Sequence, residues 1–387
     1  MTEIKTLSYS CRTRIFLGIG AYKKLPEIFE GLNAKNVFLL SDNGVASTDF
    51  FKLVQDVLKD NNIKLEIFTD IETDPSDTTV EKAYAIYQEN KPSALITLGG
   101  GSTIDVGKAV AILATNGGRI HDYEGIDLFA NPPLTLIAIP TTTGTGSEVS
   151  GSCVITDTTR GLKMSIRSAS LNPAEIAILD PLALKTLPVE VATDSGMDAF
   201  VHAFESYISL NANPVTDALT LNAIELISSN IRPFVSNRSN LDAGLKMLCG
   251  ASLAAMGFSN TGLGNIHCMA RFVGAFFHIS HGLSNAVCLP FGAEFNLMAN
   301  PEKYARIALA MGENISGLSS MEAGEKAVEA IRNLCKDIGI PEKLRDIGVE
   351  KEKLPEIARL CFEADYNRWN PRYTTEKDFL ALLEKAW

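Results

Sequence analysis

No C-x-x-C pair occurs in the chain, and its seven cysteines (11, 153, 249, 268, 288, 335 and 361) are odd in number and scattered. That pattern argues against a disulfide framework and predicts reduced thiols in a cytoplasmic protein. No stretch approaches ~18 uninterrupted apolar residues, so no membrane span is predicted. The opening "MTEIKTLSYSCRTRIF" lacks the apolar segment of a signal peptide, and none is expected. Positive charge is scarce: 35 Lys and Arg stand against 46 Asp and Glu, a net charge of −11. Bulk attraction to nucleic acid or anionic membrane is therefore excluded, and an anionic substrate needs a local cationic pocket. Biased tracts, internal repeats and disordered linkers are absent as well. What remains is the composition of a globular protein, and 387 residues are too many for one compact core, which predicts two domains.

The first half alternates short apolar runs with helical patterns. "NVFLLSD" (36–42), "LEIFTD" (65–70), "ALITLGGGS" (94–102) and "LTLIAIPTT" (134–142) read as strands. "VASTDFFKLVQDVLKDNN" (45–62), "TVEKAYAIYQEN" (79–90) and "TIDVGKAVAILATN" (103–116) read as helices. This alternation predicts a largely parallel sheet with helices on both faces. From about residue 185 the apolar residues recur at three- and four-residue spacing almost to the end, as in "TDALTLNAIELISSNIRPFV". The expected organisation is an α/β domain over 1–185 and an all-helical domain over 186–387, with the active site in the cleft between them.

"LITLGGGSTIDVGKAVAI" is a strand, a glycine turn and a helix. Gly99, Gly100 and Gly101 let backbone approach a phosphate, Ser102 can cap the helix, and a helix N-terminus favours an anion. Three consecutive glycines also serve a plain tight turn. Asp42 ends a predicted strand, where an acid can bond an adenosine ribose and disfavour a 2′-phosphate, or simply start a helix. "IPTTTGTGSEVS" (139–150) is a second hydroxyl- and glycine-rich loop at a strand end.

"GMDAFVHAFE" places Asp198 and His202 at i and i+4, on one helix face. His267 and His281 lie 14 residues apart in the same helical half. One carboxylate and three imidazoles form a set suited to a first-row divalent metal. His278, three residues before His281, competes as a ligand. Cys268 adjoins His267 but points ~100° away on a helix, which favours packing. His121, in "RIHDYEG", is expected at the surface.

Together "GGGSTIDVGK", "IPTTTGTGSE", "MDAFVHAFE", "GLGNIHCMAR" and "SHGLSNAVCLP" resemble the iron-containing (group III) alcohol dehydrogenases, over about residues 10 to 385. The resemblance implies the fold of that family and of dehydroquinate synthase: an N-terminal α/β dinucleotide-binding domain with a parallel sheet, plus an all-α C-terminal domain. It implies an NAD(H)-linked alcohol dehydrogenase or aldehyde reductase with one divalent metal, Fe²⁺ or Zn²⁺. The metal acts as a Lewis acid on the substrate oxygen while hydride passes between nicotinamide and the carbonyl carbon. Metal ligands carry over to Asp198, His202, His267 and His281, with His278 outside the set. The pyrophosphate carries over to Gly99, Gly100, Gly101 and Ser102, the ribose to Asp42 and Lys163, and other cofactor contacts to Asp105, Thr141, Thr142 and Thr145. Phe258 falls near the substrate, grouped with His278 and Arg271 as the catalytic neighbourhood. A homodimer or larger homo-oligomer is expected by the same resemblance.

Two positions depart from the family. Asp74, in "TDPSD", stands where asparagine is usual and can still cap a turn. More consequentially, Arg271 stands where many members carry a proton-relaying histidine. Arginine stays protonated and is a poor relay, but its planar fork holds anions. A buried cation near a metal needs a partner. The expected substrate is therefore a short aldehyde with an anionic group, first sulfoacetaldehyde (reduced to isethionate), then phosphonoacetaldehyde or succinic semialdehyde. Arg12, Arg14 and Arg372 are further candidates for that subsite. The alternatives are a general short-chain alcohol, aldehyde or diol dehydrogenase of lactaldehyde/propanediol type, a metal-dependent lyase, and a non-catalytic binding protein.

Overall fold

Apolar runs set the sheet. In the computed structural model, which describes residues 9–387, nine strands form: β1 (Arg14–Leu17), β2 (Asn36–Ser41), β3 (Lys64–Phe68), β4 (Ala94–Gly99), β5 (Gly125–Ile126), β6 (Leu136–Pro140), β7 (Ser152–Asp157), β8 (Leu162–Arg167) and β9 (Ile176–Leu179). Six pair in the order β1-β9-β6-β4-β2-β3, all parallel. Successive side chains of a strand point to opposite faces. Thus Phe38 and Leu40 enter one core while Val37 and Leu39 enter the other. Helices Asp77–Asn90 and Gly101–Asn116 cover the first face, and Leu25–Gly31 and Asp49–Asp60 cover the second. Burial on both faces is why these strands read as unbroken apolar runs.

The chain steps from β2 outward to β3, then returns to place β4 on the other side of β2. Strand order therefore reverses at β2 and β4, and the crevice beyond such a reversal is where open α/β sheets bind ligands. Asp42 follows β2, the glycine turn follows β4, and the threonine loop follows β6.

Two local expectations are corrected. The single helix read over 45–62 is two, Asn43–Ala46 and Asp49–Asp60, because the Thr48 hydroxyl accepts the Phe51 N–H at 3.2 Å and starts the second afresh. Residues 152–167, unassigned by pattern, form the antiparallel pair β7–β8, with β5 alongside β8.

The chain divides into two compact units, Ser10–Leu187 and one built on Pro188–Trp387. The second unit is helical. Val189–Ile208, Pro214–Ser236 and Leu241–Thr261 pack closely: a Cβ on Gly250 would come within 2.7 Å of Ile227. Leu241–Thr261 is long and apolar enough to span a bilayer by composition, yet it buries Met247, Leu248, Ala251, Ala254 and Ala255 in this packing.

Candidate metal centre and cofactor cradle

Helix Val189–Ile208 is buried without a break from Gly196 to Ile208. Asp198 and His202 share one of its faces. His267 lies in the first turn of helix Asn265–Phe277, and His281 opens helix His281–Asn296. One ligand atom from each of these four residues lies within 4.8 Å of all the others. Asp198, His202 and His267 are buried, whereas His281 is exposed. His267 Nε2 is 3.7 Å from Asp198 Oδ1, and it is buried without a hydrogen-bond partner. A buried ring nitrogen with no partner is costly unless something fills the site. An N₃O set of this reach fits a divalent metal.

Surrounding groups orient the set. The Asn285 amide donates to Asp198 Oδ1 at 2.9 Å and faces His281 Nε2 at 3.1 Å. His267 Nδ1 is 2.6 Å from Glu205 Oε2. Phe258 stacks on His202 with ring centroids 4.4 Å apart. Burial alone raises the Asp198 carboxyl, but the neighbouring histidines outweigh it and hold the group well below the usual carboxylate range. Burial lowers His267, but Asp198 and Glu205 prevail and push it up to about 9.

His278 stands outside this group. It is exposed at the C-cap of its helix, with a left-handed φ of 54°. Cys268 is buried and turns its thiol to the Cys361 carbonyl, as packing requires. Arg271 is not the buried cation that the anion argument assumed. It is exposed, near the Phe272 ring and close to Tyr366, so solvent already satisfies much of its charge. Arg372 stacks on Phe295 and donates to its carbonyl, while Arg12 and Arg14 belong to the other unit.

In the first unit, the glycine turn and the threonine loop touch. Thr141 N–H donates to the Gly99 carbonyl at 3.0 Å. A Cβ on Gly100 would lie 3.2 Å from Thr142 Cγ2, and one on Gly101 would lie 2.8 Å from Thr145 Cγ2. The cradle is thus open only because these residues are glycine. Ser102 does not cap the helix: the N-cap is Gly100, which has no side chain, so the first N–H groups keep their freedom to bind an anion. Such a cradle fits the pyrophosphate of a dinucleotide.

Three residues do more structural work than their assigned roles imply. Asp42 caps Asn43–Ala46 through the Val45 N–H at 2.9 Å, leaving its second oxygen for other use. Both Asp105 oxygens are engaged, by the Ser147 hydroxyl at 2.6 Å and the Val154 N–H at 2.9 Å. Lys163 pairs with Asp74 at 2.6 Å. Beside that pair, Asp77, His121 and Asp157 gather a second set of metal-type donors. His121 is half-buried there, 3.0 Å from Asp77, because two carboxylates draw it in from the expected surface position. Arg160 already pairs with Asp157 and links it to Glu124, which closes this group as an ion-pair cluster.

Pattern reading missed Asn285 and Glu205 as site residues. Their signals were the i+4 spacing from His281 and the i+3 spacing from His202.

Residues 12–181 match the family described as iron-containing alcohol dehydrogenase, and residues 192–387 match the C-terminal part of the Fe-containing alcohol dehydrogenase family. The chain is 40% identical over 374 residues to the 1,3-propanediol dehydrogenase of Klebsiella pneumoniae, covering 96% of each chain. It is 37% identical over 375 residues to the sulfoacetaldehyde reductase of Bilophila wadsworthia (strain 3_1_6), again covering 96% of each. The crystal structure of a 1,3-propanediol oxidoreductase superposes with a TM-score of 0.95 at 39% identity, over 99% of this chain and 100% of that one.

Proposed function

The chain belongs to the iron-containing alcohol dehydrogenase family, a metal- and NAD-dependent oxidoreductase of small alcohols and aldehydes, and we propose that it works on neutral short-chain aldehydes and the corresponding alcohols or diols. The observation that carries this is the buried group Asp198, His202, His267 and His281 with the Phe258 ring stacked on His202. These side chains offer one carboxylate, three imidazoles and an aromatic surface, with no lysine or arginine among them. A metal held there supplies polarisation of the substrate oxygen, and NAD(H) supplies the hydride.

The residues have separable tasks. Asp198 brings negative charge against three imidazoles and so favours a dication. Phe258 offers the substrate carbon chain an apolar wall and fixes the His202 ring. Gly99, Gly100 and Gly101, with the uncapped helix start, receive the pyrophosphate. Thr141, Thr142 and Thr145 line the same cradle, and the second oxygen of Asp42 accepts from the ribose. That last contact favours NAD over its 2′-phosphorylated counterpart.

One observation favours a second reading, an anionic aldehyde such as sulfoacetaldehyde. Among the described residues Arg271 has Phe272 and Tyr366 as neighbours, and no carboxylate pairs with it. Its fork is therefore available to a sulfonate, and a relative at 37% identity is a sulfoacetaldehyde reductase. Exposure weakens this reading, because an exposed cation needs no substrate to satisfy it.

NADH oxidation by protein loaded with Fe²⁺ or Zn²⁺ separates the two. The panel is acetaldehyde, propionaldehyde, lactaldehyde, sulfoacetaldehyde, phosphonoacetaldehyde and succinic semialdehyde, with Arg271→His in parallel. Neutral aldehydes are expected to match or exceed the anionic ones in kcat/KM, with little change in the variant. A preference of ~100-fold for one anionic aldehyde, about 2.7 kcal/mol, that Arg271→His abolishes would establish the second reading instead.

A further inference from the structure

Glu205 lies three residues beyond His202 on the Val189–Ile208 helix, and its carboxylate is only 1% exposed. Among the described residues no lysine or arginine pairs with it, and its hydrogen bonds run to the start of helix Asn265–Phe277. Oε1 accepts the Ile266 N–H at 2.7 Å, Oε2 accepts the His267 N–H at 3.3 Å, and Oε2 is 2.6 Å from His267 Nδ1. That helix has Gly264 as its N-cap and no side-chain cap of its own. A Cβ on Gly264 would lie 2.9 Å from Glu205 Oε1, so glycine there is what lets the carboxylate reach the helix start.

The two carboxylate oxygens thus face three N–H positions of one helix turn, and each oxygen accepts a backbone bond. The ring nitrogen facing Oε2 must then be the donor. A metal binds only the neutral imidazole, which has one N–H, and holding that proton at Nδ1 leaves the lone pair on Nε2. Nε2 is the atom turned toward Asp198, buried and without a hydrogen-bond partner. We propose that Glu205 is a positioning residue of the metal centre: it caps the His267 helix and fixes the His267 tautomer that presents Nε2 to the metal. This rests on reading Asp198, His202, His267 and His281 as the ligands.

Glu205→Gln separates the cap from the tautomer. Glutamine keeps one oxygen for the Ile266 N–H and turns its amide donor toward Nδ1, which drives the His267 proton to Nε2, where it blocks the lone pair. Competition of apo-protein against a chromophoric chelator for Zn²⁺ should show 10- to 100-fold weaker binding, the usual range for loss of a carboxylate partner behind a metal-bound histidine. Glu205→Asp restores an acceptor and should recover part of that loss. A double variant, Asp198→Ala with His202→Ala, tests the ligand set itself. If it weakens Zn²⁺ binding while Glu205→Gln binds like the parent, the Glu205 role is overturned and the ligand reading stands. If the double variant also binds like the parent, the ligand reading fails first. Should Glu205→Gln not fold, ¹⁵N-histidine spectra of the Zn²⁺-loaded parent decide, with His267→Gln to assign the signal. A proton on His267 Nδ1 is expected, and one on Nε2 overturns the proposal.

Discussion

The Lys108 ammonium, wholly buried in the helix that follows the glycine turn, donates to the backbone carbonyl of Ser152 at 2.6 Å. It also donates to the Ser147 hydroxyl and the Ser150 carbonyl, each at 3.0 Å. Burial pulls the Lys108 ammonium down and pushes the Asp105 carboxyl up, and each partly offsets the cost of the other. Together they tie the threonine loop to the helix that carries the phosphate cradle. Removing one partner of a buried charge pair costs about 3–5 kcal/mol, because the other is left uncompensated. Lys108→Met should therefore lower the urea midpoint of the first unit and weaken NADH binding, read by fluorescence titration. Unchanged values for both would show that the loop is held by something else.

Gly101 faces Thr145 across the cradle, where an added Cβ would meet Cγ2 at 2.8 Å. Threonine is stiff at χ1 and cannot simply swing aside. Gly101→Ala should raise the Kd for NADH by roughly tenfold, and Thr145→Ser, which deletes that methyl, should recover much of the loss. A double-mutant cycle with no coupling between the two changes would place the glycine requirement in the approach of the cofactor rather than of Thr145.

Much of the first unit was legible because its strands are buried on both faces. "NVFLLS", "ALITL" and "LIAIP" are apolar runs that only a covered parallel strand explains. The pair β7–β8 escaped because it alternates buried and partly exposed residues over a mixed-polarity stretch. The four metal-type ligands were legible as two spaced pairs. Their supports were not: Glu205 and His267 are 62 positions apart, and Lys108 and Ser152 are 44 apart. Contacts over such separations are made by packing and leave no local period. The exposure of Arg271 was equally hidden, since helical spacing puts it on the His267 side without saying what covers that side.

Acid sensitivity should trace to Asp157. The Thr159 hydroxyl and then the Arg160 guanidinium hold its carboxyl well below the usual carboxylate range. A depressed folded value means that the contribution to stability is complete above the unfolded value of about 3.9 and is lost as pH falls through the folded one. Asp157→Asn should therefore be less stable than the parent by a constant margin from pH 5 to 8, and the margin should shrink below about pH 4. Thermal unfolding at pH 3, 4 and 6 reads this directly. A margin that persists undiminished at pH 3 would mean that the Asp157 contacts do not depend on its charge.

Metal removal should affect folding and turnover together, because the four ligand side chains come from three helices and a shared ion cross-links them. A ligand at 100 times its Kd stabilises the form that binds it by about 2.7 kcal/mol. Dialysis against a chelator should lower the Tm of the helical unit and abolish NADH oxidation, and Fe²⁺ or Zn²⁺ should restore both. In Asp198→Ala three imidazoles remain, a set that still binds zinc but without the carboxylate that balances its charge. That variant should need far more metal for the same shift in Tm and should turn over at least ~100-fold more slowly, the scale expected when a charge-stabilising group leaves a catalytic centre. A variant whose Tm and turnover respond to metal as the parent's do would remove Asp198 from the ligand set and leave the three histidines to account for the site.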